Sequence, residues 1–507
     1  MIRQHTIAAL TFTGENMKLI FVGNDYKYEI EGVMKLFIPA SLFDLSYPDN
    51  VPKSIEGDYA LIVREKNDDD THLQVSARVG GNTQTRSGEL LNTTPDYDNE
   101  CELLLSKLLF GCMKELTGIT PGWGVITGVR PVKQVNKLID KGLGDDEIRE
   151  YMHLRYLCSD KKTDIAIKTA HTQSDILKTL DKRSFGLYVS IPFCPTRCSY
   201  CSFVSTTTES SKSLIPQYVA LLCQEIEHTA KICEKAGIYP DSIYFGGGTP
   251  TTLSASQLRA VMGKISDCFD MSHVREYTVE AGRPDTITPQ KLHAIKEMGA
   301  GRVSINPQSL SDKVLENIGR KHTVSQFFDA LEMAQQTGFE CINTDIIAGL
   351  PGDDIGSFRN TVDTLISKAL DNITVHTLSI KRAARLNHEG TADALKNPAG
   401  EMIDYATDSL IKNGYAPYYL YRQKNMLENQ ENIGWSKPGK ESLYNICIME
   451  EVQTIIAVGA GGSTKLVDRD GGRLERIFNY KYPYEYIKGF DEILKRKNGV
   501  ESFYEEK

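Results

Sequence analysis

The sequence predicts an α/β protein built on a partial six-stranded (β/α) barrel over residues 181–395, with an N-terminal α+β extension over 1–180 and a C-terminal α+β module over 396–507 that closes the active site. Three observations point there. From Gly186 onward short apolar runs alternate with helical patterns, the sign of a parallel sheet. A loop holding Cys194, Cys198 and Cys201 directly follows the first of those runs. The distinctive polar residues further along all fall after strands, where barrel enzymes gather their reactive groups.

In the extension, the runs Ile7–Phe12, Leu19–Val22 and Ala60–Val63 read as strands of a small β-rich module, with turns at Asn67–Asp70 and Gly80–Asn82. From Cys101 the period changes: Leu103, Leu104, Leu108, Cys112 and Leu116 form a helical stripe that stops near Gly118. Trp123 sits among glycines and prolines and reads as a structural turn between helices. Helical patterns then run through Ile139, Ile148, Leu157 and Ile165 to about Leu180.

The barrel strands are expected at Leu187–Ile191, Ser242–Phe245, Glu276–Ala281, Arg302–Asn306, Ile342–Ile347 and Ile373–Leu378. Helices are expected over Leu214–Ala236, Ala255–Phe269 and Pro289–Met298, from Asp312 and Ser325, and over Ser357–Ala369. In the C-terminal module a helix begins near Pro398. Tyr415–Tyr421 reads as an edge strand because Pro417 cannot donate to a ladder. Ile455–Val458 reads as a buried strand meeting a glycine turn, and a helix around Tyr484–Leu494 closes the chain.

Charged residues are 25% and hydrophobic ones 40%, ordinary for a globular protein. A net charge of −9 argues against a broad nucleic-acid or membrane-surface role. No apolar run of about 18 residues predicts a membrane span. The start Met1-Ile2-Arg3-Gln4-His5 shows no signal-peptide pattern. With eleven cysteines, an odd number, a reducing compartment is expected rather than a disulfide framework, which places the protein in the cytoplasm.

Three thiolates in a C-x₃-C-x₂-C loop want a soft metal, zinc or an iron–sulfur cluster. A structural zinc site would be closed by four ligands, and the next cysteine, Cys223, lies inside an expected helix. A four-iron cluster held by three cysteines keeps one iron open. The run Gly246-Gly247-Gly248-Thr249 after a strand lets backbone approach a ligand and offers N–H groups to a carboxylate; a plain β-to-α turn also needs glycine. Glu280, Gln308, Arg320 and Asp345 together form a ring of polar groups over one barrel mouth. Lys381-Arg382-Ala383-Ala384-Arg385 reads either as a carboxylate-binding cluster or as a solvated helix face.

These motifs in this order resemble the radical S-adenosylmethionine (SAM) superfamily. The pattern Tyr188…Ile191-Pro192-Phe193-Cys194, Gly246–Thr251, Glu280, Gln308, Arg320, Asp345 and Gly349-Leu350-Pro351 is most similar to the oxygen-independent coproporphyrinogen III oxidases. The long extension, with Gly128-Val129-Arg130-Pro131, resembles the HemZ-type members. The resemblance implies a [4Fe–4S] cluster on Cys194, Cys198 and Cys201, two SAM molecules, and a 5′-deoxyadenosyl radical that abstracts hydrogen. It implies Tyr188, Gly247 and Glu280 at the first SAM, and Tyr200, Gly248, Thr249, Gln308, Arg320, Asp345 and Ser379 at the second. A turn around Gly461 aligns loosely with a further SAM contact. The implied substrate is coproporphyrinogen III, a tetrapyrrole with four carboxylates. The implied electron donor is of the flavodoxin or ferredoxin kind, and a monomer is expected. Ser190 stands where the family's commonest loop has His, and Phe203 where some members have a fourth cysteine. Competing readings are a HemW-like haem chaperone, another radical SAM reaction on a tetrapyrrole, and a structural zinc protein.

Overall fold

The structure is a computed structural model that describes residues 17–38, 43–203, 205–380, 397–469 and 471–505. The expected strand at Ile7–Phe12 and the basic cluster Lys381–Arg385 lie outside the described residues. Contacts divide the chain into two compact units, Met1–Ile167 and Lys168–Lys507.

The first unit holds β1 (Met17–Val22), α1 (Lys27–Phe37), β2 (Phe43–Ser46), β3 (Tyr59–Lys66), β4 (Asp70–Val79), β5 (Asn82–Leu91), α2 (Tyr97–Thr117), α3 (Val132–Asp140) and α4 (Asp145–Tyr156). Its sheet order is β2-β1-β3-β4-β5, with β1 parallel to both neighbours and β3-β4-β5 an antiparallel meander. Strict alternation along β4 buries Leu73, Val75 and Ala77 against α2. Gly118 ends α2 in the left-handed conformation. Trp123 is buried and its carbonyl accepts from the Cys158 thiol, as a structural turn requires.

Helix α5 (Asp160–Lys178) leads into the second unit. There the expected six strands appear as β6 (Ser184–Ile191), β9 (Tyr239–Gly247), β10 (Glu276–Glu280), β11 (Arg302–Ser304), β12 (Cys341–Ala348) and β13 (Asn372–Thr377). Two-residue strands β7 (Phe193–Cys194) and β8 (Thr206–Thr207) fall between the first two, followed by the short helix α6 (Thr208–Ser211). The six long strands are parallel and adjacent in chain order. Their crossovers are α7 (Ile215–Lys235), α8 (Ala255–Cys268), α9 (Pro289–Glu297), the pair α10 (Asp312–Asn317) and α11 (Val324–Thr337), and α12 (Ile355–Ser367). β6 is buried along nearly its whole length, because helices and neighbouring strands cover both faces. Helix starts follow their caps: Ser254 with Gln257 and Thr323 with Gln326 form reciprocal capping boxes, and Asp354 accepts from Ser357 N–H at 2.8 Å.

From residue 397 on, the described strands all join the sheet of the six parallel strands. After α13 (Ala399–Lys412), β14 (Ala416–Tyr421) and β15 (Asn432–Ser436) extend the sheet beyond β13 in antiparallel fashion. β14 is the edge, and the register slips between Pro417 and Tyr419, where proline has no N–H to give. After α14 (Leu443–Glu450), β16 (Thr454–Val458) pairs parallel with β6 at the opposite side, and β17 (Ser463–Val467) and β18 (Leu474–Phe478) finish an 11-stranded sheet. The single closing helix expected from the sequence is broken at Gly489 into α15 (Pro483–Lys488) and α16 (Phe490–Lys497), and α17 (Gly499–Glu505) follows. No helix among the described residues is long and apolar enough to cross a membrane.

Candidate functional site

At the end of β6 the chain turns into the cysteine loop. The parallel β7–β8 pair closes the neck of that loop, and Thr206 N–H donates to Pro192 O at 2.9 Å. Inside it, Cys201 N–H turns back onto Cys198 O at 3.2 Å. Ser199 N–H on Ile318 O (3.0 Å) and Thr196 Oγ1 on Gly319 O (3.4 Å) tie the loop to the end of α10. Cys198 is buried, Cys194 and Cys201 are half-buried, and none forms a disulfide.

The glycine run at the end of β9 lies against this loop. Gly248 N–H donates to Ile191 O and Thr249 N–H to Phe193 O, both at 2.7 Å. The Gly248 N–H, expected to face a ligand carboxylate, instead holds the cysteine loop by a carbonyl, and the Thr249 N–H does the same. A Cβ on Gly248 would stand 2.5 Å from Phe193 O, so only glycine admits that approach. Gly247 adopts φ +103°, beside Ser190. The Thr249 hydroxyl reaches Cys194 Sγ at 3.7 Å.

The polar residues over the strand ends fall into connected groups. Tyr188 and Tyr244 are register partners on β6 and β9; their rings stack at 6.3 Å, and Tyr444 from α14 stacks on Tyr244 at 4.4 Å. Tyr244 donates to the Glu280 carboxylate at 2.5 Å. Burial pushes the Glu280 carboxyl up to about 7; Asp345 adds to the rise, while Tyr244 and His376 oppose it. Asp345 is half-buried, which works to raise it, but His376, Asn343 and Thr374 hold it below its ordinary value. Asn306 and Asn343 each donate to it at 2.9 Å. Gln308 sits at φ +69° with its N–H on Asp345 O at 3.1 Å, and its buried Oε1 has no hydrogen-bond partner among the described residues. A buried acceptor left bare is costly unless a ligand satisfies it.

Arg320 is buried, donates to Asn306 O at 2.6 Å, and reaches Tyr200 and Cys198. Burial raises the Tyr200 hydroxyl pKa well above its ordinary value. The Ser379 hydroxyl donates to Lys424 O at 2.9 Å. The turn around Gly461 does reach the end of β6, where Ser190 Oγ donates to Ala460 O at 2.7 Å. Behind that turn, Glu225 accepts from Gly459 N–H, Asn479 and Tyr486 and pairs with Lys497 at 3.1 Å, all within the core.

Sequence reasoning missed Arg283, Asp285 and His322. Arg283 follows Glu280 by three positions in the same loop, so the strand-end rule could have found it. His322 is buried with neither ring nitrogen partnered among the described residues; burial, then Arg320 and Arg283, push it down to about 3. Tyr444, His376 and Asn343 carried no local signal.

The three thiols of this loop offer soft donors to a metal. Tetrahedral zinc with Zn–S near ~2.3 Å asks its sulfurs to lie about 3.8 Å apart. Among the described residues no three His, Cys, Asp or Glu side chains converge to hold one ion. A four-iron cluster spreads its thiolates over separate irons and asks for a wider set. The donors on Cys194 and Cys198 suit thiolate sulfur.

The radical SAM superfamily matches residues 188–365 of this chain. The chain is 36% identical over 440 residues to the oxygen-independent coproporphyrinogen-III oxidase-like protein HemZ of Bacillus subtilis (strain 168), covering 84% of this chain and 87% of that protein. It is 28% identical over 319 residues to the haem chaperone HemW of Lactococcus lactis, covering 62% and 78%. Among solved structures, the coproporphyrinogen III oxidase HemN of Escherichia coli matches at a TM-score of 0.48 and 22% identity, over 64% of this chain and 72% of that one.

Proposed function

This chain belongs to the radical SAM superfamily, among the oxygen-independent coproporphyrinogen III oxidase-like proteins, and from that premise we propose that it oxidatively decarboxylates coproporphyrinogen III to protoporphyrinogen IX. The observation that carries the reading is the likeness to the HemZ-named protein over 84% of the chain, well beyond the cysteine-loop region.

The cofactor pair, a [4Fe–4S] cluster and SAM, supplies a one-electron cleavage that delivers a hydrogen-abstracting radical. Cys194, Cys198 and Cys201 hold the cluster and leave one iron for SAM. Tyr188, Gly247 and Glu280 line the first SAM position, with the Tyr188–Tyr244–Tyr444 stack as its aromatic floor. Tyr200, Gly248, Thr249, Gln308, Arg320, Asp345 and Ser379 line the second. Gly248 and Thr249 act there through the loop they clamp. Asp345, kept ionised by His376 and two asparagines, accepts hydroxyl or amino protons, and Arg320 offers a fixed cation to a carboxylate. In each propionate arm a C–H hydrogen is removed from the side-chain carbon attached to the ring. The arm then loses CO₂ and passes one electron to an acceptor, leaving a vinyl group, while a flavodoxin- or ferredoxin-class donor would supply the electron for SAM cleavage. Residues 1–180 form the extension and 396–507 complete the catalytic unit of a cytoplasmic monomer.

The test gives anaerobically reconstituted protein SAM, a reductant and coproporphyrinogen III, and weighs the porphyrinogens. Two successive losses of a carboxyl group plus hydrogen are expected. The similarity to a haem chaperone favours one other reading; tight haem binding with no mass change would replace the oxidase by it. The Ser190 hydroxyl is committed to Ala460 O, which disfavours that outcome at this position.

A further inference from the structure

We propose that Arg283 is a positioning residue that fixes Cys198 and sets the reduction potential of the cluster held there. The inference rests on the cluster assignment and is independent of the tetrapyrrole substrate.

Arg283 lies in the loop after β10 with only 4% of its surface exposed. Pro284 follows it and confines it to an extended backbone, φ −124° and ψ 105°. That conformation brings Asp285 back onto its own guanidinium. Nε donates to Asp285 Oδ1 at 3.0 Å and Nη2 to Oδ2 at 3.1 Å. Nη2 also donates to Thr196 Oγ1 at 2.9 Å, and Nη1 to Thr196 O at 3.5 Å. Nη1 reaches Cys198 Sγ at 3.4 Å. A guanidinium has five N–H donors, and here each has an acceptor. One of those acceptors is the sulfur.

Burying the guanidinium against a carboxylate that keeps contact with solvent needs a reason other than stability, since the cost of taking Arg283 out of water offsets most of the attraction. The orientation supplies one. Asp285 anchors one edge of the fork, so the remaining donors aim at the loop between Thr196 and Cys198 and cannot swing away. Hydrogen bonds to cluster sulfurs and nearby charge are what a protein uses to tune an iron–sulfur potential. Reduction adds negative charge to the cluster. An N–H dipole and a cation at Cys198 Sγ favour that state, and the Asp285 carboxylate partly cancels the cation. Arg320, buried near the same loop, adds positive charge at Cys198, so Arg283 acts on top of a second guanidinium.

The experiment is a redox titration of the reconstituted full chain, followed by the electron paramagnetic resonance signal of the reduced cluster, with and without SAM. Arg283→Met is expected to shift the one-electron equilibrium toward the oxidised cluster by about tenfold, ~59 mV more negative. Arg283→Lys keeps the charge but not the fork and should fall between Arg283→Met and wild type. Asp285→Asn removes the opposing charge and should move the potential the other way. Opposite signs from two partners of one ion pair are not produced by mere loosening of the loop. Unchanged potentials in Arg283→Lys and Asp285→Asn at wild-type iron content would overturn the proposal, whether or not Arg283→Met takes up a cluster. A wild-type chain that takes up no iron would instead overturn the cluster assignment, and this inference with it.

Discussion

Replacing Glu280 by glutamine should stabilise the cluster-free protein at high pH and leave it unchanged at low pH. The Glu280 carboxyl titrates at about 7 rather than at its ordinary 4.5, chiefly because burial penalises the ionised form. At ~1.36 kcal/mol per pH unit, that disfavours the carboxylate by roughly 3 kcal/mol. Its side chain keeps some contact with solvent, so about 2 kcal/mol is a fairer figure. The folded-state value lies above the unfolded one, so between pH 4.5 and 7 the folded chain holds a proton that the unfolded chain has released. Stability from this group is therefore full below pH 4.5, falls as pH rises through the window, and is flat above it. Glutamine does not titrate and keeps an oxygen to accept from Tyr244. Thermal midpoints of wild type and Glu280→Gln, taken across pH 5 to 8, should coincide at the acid end. They should separate by a few degrees at the alkaline end, with the variant higher. Tyr244→Phe removes the donor that favours the ionised form, so that variant should lose more stability at pH 8 than at pH 5. A gap of equal size at every pH, or a variant that is weaker at pH 8, would refute the reasoning.

The other expectations concern the loop and its support. Gly248→Ala places a methyl 2.5 Å from the Phe193 carbonyl and should cost about 1–3 kcal/mol along with most of the iron content; Gly263→Ala, on open helix surface, is the control and should gain a few tenths to about 1 kcal/mol. Cys198→Ala should abolish both the cluster's visible absorption and SAM cleavage, and retained SAM cleavage would remove Cys198 from the ligand set. Lys497→Met leaves the Glu225 carboxyl in the core without its cation and should cost about 3–5 kcal/mol by denaturant unfolding. Adding Glu225→Gln should restore most of that, and a double variant no better than the single one would show that the pair is not what matters.

Much of the catalytic unit was legible residue by residue. Ser242–Phe245, Ile342–Ile347 and their fellows are short apolar runs between capped helices, and the pattern of Ser254 with Gln257 or Thr323 with Gln326 marks a helix start wherever it occurs. Parallel strands joined by helices then lie side by side in chain order, so residues after each strand had to share one mouth. That is why Glu280, Gln308, Arg320 and Asp345 could be named together. Gly247 and Gly248 were legible as glycines but not in their role. The loop they serve returns across them only once β6 and β9 are paired.

By itself, then, the sequence determined which segments are strands and helices, where three thiols share a loop, and which loops face one side of the sheet. These follow from local period and capping, which act over a few residues. Tertiary structure alone decided that Arg283 meets the Cys198 sulfur, that Tyr444 joins a stack begun by Tyr188, and that β15 and β16 flank opposite sides of the parallel set. Those contacts join residues scores to hundreds of positions apart in the chain. Their geometry is set by how the sheet twists and where its edges are covered, which no local pattern encodes.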